Sequence, residues 1–319
     1  MPHISRIRHA ICLRALPLST LPNRRFAMPQ PQFSPFSLVR SLLLAVQFFT
    51  RLPLPASWAR WADYSPARMR AAMAHMPAMG WLVGGCAALA FVAARALWGA
   101  PAMMQAAPVL VYTLAAVLSV AATLWLTGCF HEDGLADVAD GLGGFVEAER
   151  ALQIMKDPRV GNYALWAVTV VFALKVCLLA ALAALHETSA WCMLLAAHVL
   201  SRFFALTLVN RLPHVGLDGQ SKTRQITGVM DGVALWPGAL WCLPLLGFGL
   251  LPQGVGLLGA VGLCAVVAAA VALGMGRWFR RRLQGFTGDC LGATQQVCEL
   301  ACYATALAVL ARLPVGISG

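Results

Sequence analysis

Seven apolar stretches, at about residues 77–98, 107–126, 163–185, 189–209, 235–251, 254–275 and 291–311, meet or approach the length a helix needs to cross a bilayer. Such a helix takes roughly 20 apolar residues, because in hydrocarbon every backbone N–H and C=O must be bonded within the segment. The pattern predicts an all-α chain, a polytopic transmembrane helical bundle of about six or seven spans. A mean hydropathy of +0.72, with 60% apolar and 12% charged residues, excludes a soluble domain, which has no means of hiding so much apolar surface. Two runs are weaker than the rest. Residues 235–251 are short and carry Pro237 and Pro244, which predict a kink. Residues 291–311 carry Gln295, Gln296 and Glu299, so only part of that helix is expected to face lipid. Residues 36–49 reach about half a bilayer, with Arg40 inside and Arg51 just beyond, and predict a short interfacial or re-entrant N-terminal helix.

Charge gives the orientation. The polar segments up to 75, 127–162, 210–232 and 276–290 are separated by pairs of spans and emerge on one side. They hold 20 of the 24 Lys and Arg, while the opposite loops near 99–106, 186–188 and 252–253 hold none. Positive residues collect on the cytoplasmic side, which predicts a membrane protein with its polar segments on the cytoplasmic face. The formal net charge of +11 is explained by this asymmetry, and without aromatic interleaving it predicts no nucleic-acid partner. Residues 1–35, with five Arg, six Pro and no carboxylate, are expected to be a disordered basic tail or to precede a true start at Met28. Residues 36–319 are expected to form one membrane domain. The ten Cys include no C-x-x-C pair and read as small buried apolar residues. Gly254–Gly259, G-V-G-L-L-G, lacks the strand and acid of a dinucleotide fingerprint and reads as small residues for helix packing.

Seven of the thirteen carboxylates fall between Thr127 and Gly161, in T-G-C-F-H-E-D-G-L-A-D-V-A-D-G followed by I-M-K-D-P-R-V-G. Asp133, Asp137 and Asp140 stand at i, i+4 and i+7, one face of a helix, where like charges repel. A cation must hold them together. Hard oxygen donors without nearby Cys favour Mg²⁺, which takes one or two carboxylates and fills its shell with water and phosphate oxygens. Lys156 and Arg159 follow with the opposite charge and could bind the same phosphates. The plainer reading is a solvated acidic face beside a membrane. Within the spans, Lys175 lies mid-run with no partner readable, and Glu299 needs a partner or a proton. Arg202 either reaches the polar face or snorkels to headgroups. Thr287 or Asp289 in G-F-T-G-D-C-L-G can cap the last helix, where the glycines also let N–H groups converge on an anion. The glycine-containing segment 210–232 reads as a cytoplasmic loop or a lid over a nucleotide.

The acid motif and the I-M-K-D-P-R-V-G run resemble the signature of cobalamin synthase, the adenosylcobinamide-GDP ribazoletransferase family. F-F-T-R-L-P-L-P at 48–55, M-P-A-M-G at 76–80 and F-T-G-D-C-L-G-A at 286–293 extend the likeness from about Phe36 to the C-terminus. The resemblance implies an Mg²⁺-dependent phosphotransferase that joins adenosylcobinamide-GDP to α-ribazole, or its 5'-phosphate, and releases GMP. Its implied partners are these substrates and the lipid bilayer, with a homo-oligomer left open. Carried onto this sequence, Asp133 and Asp137 hold Mg²⁺, and Asp140 is a further ligand or the base for the attacking hydroxyl. His131 is the competing base. Lys156 and Arg159 neutralise charge on the leaving GMP, while Arg51, Arg202, Thr287 and Asp289 contact substrate. Arg51 reads equally as a headgroup anchor. Two other classes fit in part. A CDP-alcohol phosphatidyltransferase also opens an acidic helix with Asp-Gly, but Asp137 and Val138 occupy its Ala and Arg positions. A transporter would place its acids at the midplane between internal repeats, and none is evident.

Overall fold

The computed structural model describes residues 35–215, 235–251 and 254–312. The proposed tail or upstream start, and most of the expected lid at 210–232, lie outside them. Among the described residues all regular structure is helical apart from one bridge between His214 and Phe286. The helices are α1 (Pro35–Phe49), α2 (Ala56–Ala62), α3 (Pro66–Met73), α4 (Met76–Trp98), α5 (Pro101–Ala106), α6 (Pro108–Thr127), α7 (Phe130–Gly143), α8 (Ala148–Ile154) and α9 (Asn162–Leu185). They continue with α10 (Glu187–Leu206), α11 (Leu235–Leu240), α12 (Gly254–Leu283) and α13 (Gly288–Leu310). Proline in the first turn opens α3, α4, α5 and α6, where the missing N–H costs nothing. Arg280, Arg281 and Arg282 close α12 at the negative end of its dipole.

Among the described residues five helices are long and apolar enough to cross a membrane: α4, α6, α9, α10 with the 3-10 turn Thr207–Asn210, and α12. The two weak runs behave differently from these and from each other. Residues 235–250 form α11 and then a 3-10 helix, Leu243–Leu250, that opens on Pro244. A 3-10 helix rises about 2.0 Å per residue against 1.5 Å, so the two pieces together reach about 25 Å despite their brevity. Leu235 and Trp241 pack in the core at the arginine-rich end, while Cys242, Leu245 and Phe248 pack in the second core, so the segment runs from one to the other. Helix α13 is 23 residues long and largely buried, packed against α7, α9, α10 and α12. Its polar residues lower its hydropathy because it is the central helix and meets protein on most sides.

At the polar end, α1 buries Leu44, Ala45 and Phe49 and leaves the apolar Phe36, Leu38 and Val39 exposed. Trp58, Trp61 and Tyr64 are exposed beside it, as aromatic side chains at a membrane interface are, and Arg40 lies over the Trp61 ring at 5.1 Å. At the opposite end, Arg95 meets Glu187 at 3.3 Å.

Helices α4 and α10 touch backbone to backbone. A Cβ on Gly80 would fall 2.6 Å from the His198 carbonyl oxygen and 2.7 Å from Val199 Cα, neither of which can rotate away. Gly80→Ala should therefore cost about 1–3 kcal/mol by overpacking. Gly85→Ala, where nothing lies within 4 Å, should be neutral or gain up to about 1 kcal/mol of helix propensity. Thermal unfolding of the two variants in detergent checks the contrast.

Candidate active site

The acid helix enters through two left-handed residues, Gly128 (φ 67°) and Cys129 (φ 60°), which turn the chain from α6 into α7. Arg51 lies across this turn. Its N–H donates to Leu126 O at 2.7 Å, and a Cβ at residue 128 would fall 2.1 Å from its Nε, so the turn needs glycine twice over. Glu132 and Asp133 then occupy the first turn of α7, the positive end of its dipole.

A second close approach builds the cluster. A Cβ on Gly134 would lie 2.8 Å from Asp289 O, and Gly134 and Gly292 meet with their backbones almost in contact. This crossing of α7 and α13 sets Asp289 beside Asp133 and Asp137. Thr287 caps α13, its Oγ1 accepting from the Cys290 N–H at 3.3 Å. Lys156, just after α8, reaches Asp289 Oδ2 with its Nζ at 2.9 Å. Half-burial raises the Asp137 carboxyl, the Asp289 and Asp133 charges raise it further, and Lys156 only partly opposes them, leaving it at about 7. Partial burial works against the Lys156 ammonium, but Asp289, Asp137 and Asp133 outweigh it and hold its pKa above the usual value. Three carboxylates thus share one ammonium, an arrangement short of positive charge.

The other predicted residues occupy different settings. Asp140 accepts from the Gly161 N–H at 2.7 Å and the Ala164 N–H at 2.9 Å, so both its oxygens cap the start of α9. Gly161 has no side chain because a Cβ there would meet Asp140 Oδ1 at 2.6 Å. Asp140→Ala should lower stability by about 1 kcal/mol, the usual loss of an N-cap, and Asp140→Asn by less, as read by thermal unfolding. Arg159 is exposed and forks onto Asp157, whose carboxyl it holds down to about 2 through their hydrogen bonds. His131 is buried, its Nδ1 has no hydrogen-bond partner among the described residues, and burial first, then Arg202 and Lys175, keep the ring well below its ordinary pKa.

Arg202 does not snorkel. It is buried, with Nη1 2.9 Å from His198 Nδ1, in a polar network that runs through the bundle beneath the acid cluster. Lys175 Nζ bonds Glu299 Oε1 and Gln296 Oε1, each at 2.8 Å. Gln296 donates to Glu132 Oε1 at 2.9 Å, Gln295 to Glu299 Oε2 at 2.7 Å, and Tyr303 OH to Glu299 Oε1 at 3.2 Å. Two cations and two carboxylates balance. The partner of Lys175, unreadable in sequence, is Glu299; the only signal was the polar trio 295, 296 and 299 in an apolar run. Glu132 and the Gly134–Gly292 crossing were also missed, since nothing local marks a contact between residues so far apart in sequence.

Among the described residues no group of three or more His, Cys, Asp or Glu side chains is arranged to hold a metal ion by itself. The donor set still suits a hard cation that takes one or two carboxylates and completes its shell with water and phosphate.

A sequence profile of the cobalamin-5-phosphate synthase family matches residues 41–308. The chain is 47% identical over 277 residues to an adenosylcobinamide-GDP ribazoletransferase of Albidiferax ferrireducens, covering 83% of this chain and 96% of the relative. Similar proteins of that name occur in Polaromonas naphthalenivorans, 43% identical over 281 residues (83% and 96%), and Vibrio cholerae, 38% identical over 271 residues (84% and 93%). No solved structure matches. The matched region takes in the acid helix, the Lys156 turn and the Asp289 cap, and the chain belongs to the cobalamin-5-phosphate synthase family.

Proposed function

We propose that this chain transfers the adenosylcobinamide-phosphate part of adenosylcobinamide-GDP to α-ribazole, or its 5'-phosphate, with release of GMP. The observation that carries this is the meeting of Asp133, Asp137 and Asp289 around Lys156, a charge pattern that fits a phosphoryl-transfer site. A ribose hydroxyl of the acceptor attacks the phosphorus attached to cobinamide; the new P–O bond forms as the bond to GMP breaks. Such chemistry depends mainly on positioning and on neutralising phosphate charge.

Asp133 and Asp137 would hold Mg²⁺, which when bound supplies positive charge to the pyrophosphate. Lys156 adds a second positive group on the phosphate side, and Asp289 aims it. Thr287 fixes Asp289 by capping the same helix turn. Asp140 and His131 act as positioning residues, the first by anchoring α9 and the second at the α7–α13 crossing, where its backbone lies against Gly292. Arg159 and Arg51 flank the cluster from exposed turns, where a nucleotide's phosphates would approach. Arg202 acts only from below, through the buried network. The active face is cytoplasmic in this account, supported by the clustering of Lys and Arg in the segments that carry the site.

Purified protein incubated with adenosylcobinamide-GDP, α-ribazole and Mg²⁺ tests the assignment. Mass spectrometry should show one corrinoid product that carries the ribazole; unchanged donor and acceptor would reject it.

A further inference from the structure

We propose that a lateral cleft beside Asp133 holds the flat, largely apolar heterocycle of the acceptor nucleoside, with its ribose emerging at the acid cluster. This rests on the transferase reading above. The cleft has a volume of about 490 Å³ and lies between α6, α7 and α9, with Gln296 of α13 on its inner side. Its walls are hydrocarbon, from Val120, Leu124, Leu135, Val168 and Phe172. Its polar groups are few: Glu132 and Asp133 on α7, Thr169 on α9, and the buried Lys175 and Gln296.

Size and polarity choose among the substrate parts. Pockets of roughly 300–1,000 Å³ take drug-sized molecules, so a bicyclic base fits while a corrin ring with its amide arms does not. Guanine would bury a rim of donors and acceptors against alkyl side chains, each unpaired group costing about 1–3 kcal/mol. A benzimidazole-type base has apolar edges and a single free ring nitrogen, which suits these walls.

Two unused hydrogen-bonding groups support an occupant with polar atoms. Among the described residues Glu132 Oε2 is buried without a partner, although Oε1 is bonded to Gln296. A ribose hydroxyl would supply the missing donor. Lys175 has three N–H groups, of which two are accounted for by Gln296 and Glu299, leaving one for a ring nitrogen lone pair. A lipid acyl chain would fill the same walls but satisfy neither group. Asp133 itself lines the cleft, so a base held there brings its ribose to one of the proposed metal ligands.

Equilibrium dialysis of labelled α-ribazole against the detergent-solubilised protein tests this, alongside the KM for adenosylcobinamide-GDP. Thr169→Trp and, separately, Leu165→Trp fill the cleft from exposed positions on α9, so that one folded variant suffices. The expected result is a Kd for α-ribazole raised about tenfold or more, equivalent to about 1.4 kcal/mol, with the donor KM moved less than about twofold. An unchanged Kd overturns the proposal and leaves the cleft to a lipid chain. A raised donor KM with unchanged acceptor binding overturns it in favour of the donor. Wild-type protein that binds α-ribazole in the cleft yet releases no GMP would uphold this proposal while rejecting the transferase reading.

Discussion

Asp137→Asn should lower GMP release in the presence of Mg²⁺ by about a hundredfold or more, the scale on which losing a central electrostatic group acts on a transition state. The substitution keeps the size of the side chain and removes one negative charge at the point where three carboxylates share Lys156. Because folding raises the Asp137 carboxyl to about 7, its ionised form opposes the fold, and the uncharged Asn removes that cost. Relief of repulsion with Asp289 and Asp133 should leave stability equal or slightly higher. The informative result is therefore a large fall in turnover with an unchanged or raised unfolding midpoint. A loss of both together would mean that Asp137 supports the fold and that the metal site lies elsewhere.

Glu299→Ala should do the opposite, removing the protein before it removes chemistry. Glu299 is buried and faces Lys175 at 2.8 Å, with Arg202 part of the same network. Deleting one partner of a buried ion pair leaves an uncompensated charge and costs about 3–5 kcal/mol, a large share of a typical domain's stability. The fraction of monodisperse protein after detergent extraction should collapse. Pairing Lys175→Met with Glu299→Gln should recover much of it, since the charge balance is restored with groups of similar volume. Equal loss in single and double variants would show that restoring charge balance is not enough and that the specific bonds of Glu299 with Lys175, Gln295 and Tyr303 hold these helices together.

Much of this architecture was legible in the sequence because it depends on composition and period. Spans such as 77–98 and 163–185 follow from unbroken apolar length, and the short helix α1 from its half-bilayer reach with Arg40 inside. The acid face was legible because i, i+4 and i+7 share a side of any helix, and Thr287 was recognisable as a cap by its place before the last run. What sequence spacing could not separate was the work of equally spaced acids. Asp137 and Asp140 look alike on a helical wheel, yet one sits among carboxylates and the other bonds the N–H groups of Gly161 and Ala164. Lys156 and Arg159 are three apart, but only the first turns toward Asp289, because Asp157 takes the second. Residues 235–250 read as a short span because hydropathy does not register the greater rise of a 3-10 helix. The meeting of Gly134 with Gly292, and of Lys175 with Glu299, depends on tertiary packing that no local pattern encodes.

The most direct test of the central claim is a time course of GMP release by the wild-type protein in native membranes, with adenosylcobinamide-GDP and Mg²⁺ present and α-ribazole either included or withheld. The account predicts GMP in step with corrinoid product when the acceptor is present, and almost none when it is absent or when EDTA is added. GMP release that ignores the acceptor, or no release from this donor by folded protein that does turn over a CDP-activated alcohol, would contradict it.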